Sequence, residues 1–95
     1  MAAYVIVQID VHDPTTYERY KQLSGAALEP FGGRFIVRGG AVETIEGSWH
    51  PGRLVVVEFP DADAARRWWA SPEYAEAKRL RQASAHTELV LVEGI

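Results

Sequence analysis

The chain has 95 residues, no cysteine, ten Lys and Arg against thirteen Asp and Glu, and a formal charge of −3. That length holds one domain over residues 1–95, since single cores occupy roughly 100 to 200 residues. Disulfides, thiol catalysis and thiolate metal sites are excluded. Interleaved charges leave no basic stripe for nucleic acid and no polybasic anchor for a membrane.

Met1-Ala2-Ala3 leads straight into an alternating segment, Tyr4 to Val11, which reads as a strand and not as a signal peptide. Val5, Val7, Ile9 and Val11 share one face, and Tyr4, Ile6, Gln8 and Asp10 the other. Asp13-Pro14 supplies an N-cap carboxylate and the residue suited to the first helical position, so a helix is expected from Pro14 to Pro30, stopped by Gly32-Gly33. Alternation resumes over Arg34 to Val42, with Phe35 and Val37 opposite Ile36 and Arg38, and Gly39-Gly40 suggests a bulge or a close backbone approach. A loop through Gly47, Pro51 and Gly52 reverses the chain into a third, most apolar strand, Arg53 to Phe59.

Pro60 to Asp63 opens a second helix, which kinks or restarts at Ser71-Pro72-Glu73 and runs through Arg81. Trp68 and Trp69 project about 100 degrees apart, so one is expected in the core and the other at an interface or over a pocket. Glu88 to Glu93 closes the chain as a fourth strand. No run of apolar residues approaches the ~20 needed to cross a bilayer, and the expected location is cytoplasmic.

The order β-α-β-β-α-β is the ferredoxin-like α+β signature: a four-stranded antiparallel sheet, order 4-1-3-2, with two helices on one face. Alternation puts Gln8, Arg38 and Glu58 on the other face, among Ile6, Ile36, Leu54 and Val56, with Arg38 and Glu58 roughly opposite each other. Such a face is too apolar for water and too polar for a dry core, which predicts a homodimer enclosing a small lumen. A cation and a carboxylate facing that lumen would orient a small molecule and move a proton, with Arg38 and Glu58 as the catalytic pair. The same residues also fit a structural ion pair or a dimer contact.

His12, His50 and His86 fall at one end of the sheet without ligand spacing, and are read as solvated rather than metal-binding. Arg38-Gly39-Gly40 lacks the strand-loop-helix context of a phosphate loop. No motif calls for a cofactor, and no serine or other nucleophile sits in a triad motif.

The run Gly32 to Gly40, then Glu46-Gly47, Trp49, Arg53, Glu58-Phe59, Ser71-Pro72-Glu73-Tyr74, Arg81 and Val92-Glu93-Gly94, resembles the domain of unknown function family DUF1330 along nearly the whole chain. The resemblance implies a protomer of the dimeric α+β barrel superfamily, which includes small monooxygenases, muconolactone isomerase-like proteins and haem-dependent relatives. It brings no activity with it. The matched positions it offers as pocket residues are Arg38, Glu58, Tyr74 and Arg81; with Gln8 from the strand alternation, Gln8, Arg38, Tyr74 and Arg81 form the expected ligand-binding set. No motif match moves the haem ligand of the relatives onto a histidine here. The expectation is a homodimer that binds a small molecule in a pocket beside the sheet, set against a cofactor-independent enzyme using Arg38 and Glu58 and against a non-catalytic, stress-associated dimer.

Overall fold

The computed structural model describes residues 1–95 and contains β1 (Ala3–Val11), α1 (Pro14–Leu28), β2 (Arg34–Arg38), β3 (Arg53–Phe59), α2 (Ala62–Ala70), α3 (Pro72–Ser84) and β4 (Ala85–Glu93). The sheet is antiparallel throughout in the order β2-β3-β1-β4, the ferredoxin-like arrangement expected from the element order. One face is sealed by the helices. Val5, Val7 and Ile9 of β1 and Val55, Val57 and Phe59 of β3 are buried there against Tyr17, Tyr20, Trp68, Tyr74 and Leu80. Period-two alternation is the cause, since every second side chain of a strand points to the same face.

Local chemistry sets the boundaries. The Asp13 carboxylate accepts from the Thr16 amide at 3.2 Å and the Thr16 hydroxyl at 2.7 Å, with Pro14 at the first helical position. These bonds hold the Asp13 carboxyl below its ordinary value. At its other end α1 stops at Leu28, two residues short of expectation, and continues as a 3₁₀ turn over Glu29–Phe31. Pro30 has no N–H to extend the ladder, so the last turn tightens. Gly32, at φ 70°, closes it.

Ser71 has an extended backbone (φ −77°, ψ 152°) that breaks the second helical segment where the Ser-Pro-Glu run predicts. Its hydroxyl donates to the Trp68 carbonyl at 2.7 Å and accepts from the Tyr74 amide at 3.2 Å, which ends α2 and caps α3 together.

Two strand boundaries differ from expectation. β4 begins at Ala85 instead of Glu88, because β1 is long enough to pair Val11 with Ala85, Asp10 with His86 and Ile9 with Thr87. β2 ends at Arg38 instead of Val42. Gly39 turns away at φ 75° while its N–H still donates to the Leu54 carbonyl at 2.9 Å, and residues 40–52 form a loop. The irregularity expected at the glycine pair lies upstream: Phe35 pairs with Val57 and Val37 with Val56, so Ile36 and Val37 together span a single step of β3. That is a β-bulge.

Candidate functional site

The bulge redistributes the residues expected to share the open face. Gln8 and Glu58 stay there, beside Leu54 and Val56. Arg38 does not. Beyond the extra residue it pairs with Val55, on the helix side, where its Nη2 donates to the Lys21 carbonyl at 3.2 Å and the Ser24 hydroxyl at 3.4 Å and its guanidinium lies 4.2 Å from the Phe35 ring. One inserted residue reverses the facing of everything after it, because side chains alternate with a period of two.

The cation opposite Glu58 is therefore Arg34, which donates from Nε at 2.8 Å and from Nη2 at 2.7 Å to one carboxylate oxygen. Arg38 and Glu58 lie on opposite sides of the sheet and cannot act on one molecule within a protomer. Gln8 accepts at Oε1 from the Trp49 indole N–H, which pins the β2–β3 loop over the open face. The Trp49 carbonyl in turn accepts from Thr44 Oγ1 at 2.6 Å, and the same hydroxyl lies 2.9 Å from His50 Nδ1. His50 thus belongs to the loop's internal network, and no group of three or more His, Asp or Glu side chains converges anywhere. Around these polar contacts the face is apolar: Ile36, Val37, Val90 and Val92 are 40–56 % exposed.

A different pair of expected residues does come together. Arg81 of α3 is 3 % exposed and Tyr74, two turns earlier on the same helical face, is 1 % exposed. Arg81 Nε donates to the Tyr74 hydroxyl at 3.1 Å and Nη1 to Thr87 Oγ1 at 2.6 Å. Burial, with Tyr74 alongside, pushes the Tyr20 phenol far above its ordinary range. No carboxylate pairs with Arg81, and its Nη2 has no partner in the chain.

Arg81 forms part of the wall of a cavity of about 400 Å³ between α2, α3 and β4, lined also by Trp68, Trp69, Thr87, Leu89 and Leu91. Trp68 is the core tryptophan, its ring 4.2 Å from Tyr74 and 5.3 Å from Phe59, and its buried indole N–H has no acceptor. Trp69 is 43 % exposed at the rim, held by Lys78, whose Nζ sits 3.8 Å from the ring and donates to the Trp69 carbonyl at 2.9 Å. Tyr74 lies behind this wall and not in it, and meets the cavity's arginine only through its hydroxyl. Sequence reasoning missed Trp68, Trp69 and Thr87 as neighbours of Arg81, because the break at Ser71 separates α2 from α3 and no helical period runs across it.

Residues 2–95 match the model of the family described as Domain of unknown function (DUF1330). The chain belongs to this family. No curated protein matches this DUF1330 member. Among solved structures it is similar to RPA0582 of Rhodopseudomonas palustris, a protein of unknown function, with a TM-score of 0.80 and 20% identity over 99% of this chain and 82% of that one. It is also similar to SnoaB of Streptomyces nogalater, a cofactor-independent oxygenase, with a TM-score of 0.69 and 20% identity over 99% and 93% of the two chains. A dimeric ferredoxin-like protein of unknown function from Jannaschia sp. CCS1 has a TM-score of 0.68 and 16% identity, covering 99% of this chain and all of its own. At these identities the likeness shows the fold, which the DUF1330 chain shares with both uncharacterised dimers and an oxygenase.

Proposed function

We propose that this single-domain DUF1330 protein is a homodimer, with a cytoplasmic location, that binds an amphipathic organic acid in the cavity between α2, α3 and β4. One observation carries the ligand class: a guanidinium almost wholly removed from water, with no carboxylate in reach and one nitrogen free at the wall of an otherwise largely apolar cavity. An isolated buried charge costs several kcal/mol, and proteins retain one where a ligand supplies the counter-ion. Arg81 offers a fork for a carboxylate, while Leu89, Leu91, Trp68 and Trp69 receive an apolar body. Trp68, whose buried indole N–H has no acceptor, is one of the lining residues.

The dimer rests on the open face. Its exposed Ile36, Val37, Val90 and Val92 adjoin the half-buried Ile6, Leu54 and Val56, an apolar patch a second sheet would cover. The Jannaschia neighbour being dimeric is consistent with this. No helix is long and apolar enough to cross a membrane.

Titration with benzoate and octanoate, read by the melting temperature and by tryptophan fluorescence, tests the ligand. Both acids are expected to raise the melting temperature of the wild type and not that of Arg81→Met, while octanol does nothing. Equal responses to octanol and octanoate would overturn the role of Arg81. Light scattering at micromolar concentration tests the assembly, and a monomer refutes it.

A further inference from the structure

We infer that a second, independent site lies on the helix side of the β2–β3 hairpin, a basic hollow built from Arg38, Arg53, Lys21 and Gln22 that takes a phosphoryl dianion. The hollow, of about 420 Å³, is lined by those four residues and Glu18, with no apolar side chain among them. Three cations and one carboxylate leave a local charge near +2 on a chain whose net charge is −3. Glu18 is occupied by Lys21 at 3.1 Å, and neither arginine forms an ion pair.

Both guanidinium groups are nevertheless held in place from the protein side. Arg38 uses Nη2 on the Lys21 carbonyl and the Ser24 hydroxyl and rests against Phe35. Arg53 donates from Nε to the hydroxyl of buried Tyr17 at 3.0 Å, with that ring 5.7 Å from its guanidinium. Gly39 closes over Arg53 so tightly that a Cβ there would overlap the guanidinium. Each arginine therefore has its ordering entropy already spent on internal partners and keeps free N–H donors, the condition under which a fork binds an oxyanion efficiently.

The charge near +2 matches a dianion, and the wholly polar lining suits a phosphoryl group rather than an organic body. The bulge makes the site, since without the extra residue Arg38 would point to the open face. Lying on the helix side, the hollow stays uncovered by a dimer formed through the open face, and it shares no residue with the Arg81 cavity.

Isothermal titration with inorganic phosphate and with glycerol phosphate, against sodium acetate and sodium chloride at matched ionic strength, tests the site. Both phosphates are expected to bind, chloride and acetate not. If glycerol phosphate binds more tightly than inorganic phosphate, a phosphate monoester is the natural occupant; the reverse order identifies free phosphate, and either order supports the site. Arg38→Gln, an exposed substitution, is expected to weaken phosphate binding about tenfold or more, the scale of one charge-assisted hydrogen bond. Arg53→Lys keeps the charge and loses the fork, and is expected to weaken it several-fold while circular dichroism stays native. Phosphate binding no tighter than acetate binding, or unchanged in both folded variants, overturns the proposal.

Discussion

Replacing Arg81 by Met separates a binding role from a structural one. The substitution removes two charge-assisted hydrogen bonds, to the Tyr74 hydroxyl and to Thr87 Oγ1, each contributing about 1.5–3 kcal/mol. It also removes an unpaired cation that is 3 % exposed, whose burial costs several kcal/mol. The two groups left behind have polar surroundings: the Tyr74 hydroxyl lies beside the Tyr20 phenol, and Thr87 is half-buried on the cavity wall. The opposing terms are similar in size, so the unfolding free energy is expected to change by no more than about 2 kcal/mol in either direction. Urea unfolding followed by tryptophan fluorescence at one fixed protein concentration measures it by linear extrapolation. A fall of about 3–5 kcal/mol, the cost of breaking a compensated buried pair, would refute the reasoning, because it would mean that Arg81 already has its counter-charge within the protein.

Three further outcomes are expected. Ser71→Ala removes a hydroxyl that serves two helix ends, which costs about 1 kcal/mol and lowers the melting temperature by about 4–8 °C; an unchanged calorimetric midpoint would show that neither end depends on it. Burial raises the Tyr20 phenol above its ordinary value of 10.0, so above pH 10 the unfolded chain ionises first, and stability that is fully present below that pH is lost at up to about 1.4 kcal/mol per pH unit. Tyr20→Phe should remove this part of the alkaline slope in urea titrations run between pH 9 and about 11.5, and identical slopes would count against it. Val56→Arg, placed on the open face beside Ile6, is expected to give a monomer in light scattering with native circular dichroism, and a persistent dimer would move the interface elsewhere.

Much of the fold follows from local rules that operate without tertiary help. Alternation in β1 and β3 assigned Val5, Val7, Val55 and Val57 to the helix side, Asp13-Pro14 and Ser71-Pro72 marked helix starts by their own capping chemistry, and the Gln8 and Glu58 positions on the open face follow from the same period of two. The family was equally readable from its motifs. Arg38 was not placed correctly, because alternation carries a side chain to a face only while the ladder is regular, and the step at Ile36 and Val37 depends on how β2 docks against β3. For the same reason the partner of Glu58 proved to be Arg34.

The meeting of Arg81 with Trp68, Trp69 and Leu89 is likewise beyond any sequence window. Those residues converge only because α2, α3 and β4 fold onto one another, and an arginine's burial without a counter-ion is a property of what surrounds it in space. The sequence by itself determined which elements form, where most of them begin and which faces of the regular strands are apolar, since these are set within a few residues. Only the tertiary structure decided which charges meet and which are left unpaired, since that depends on strand register and helix docking between residues far apart in the chain.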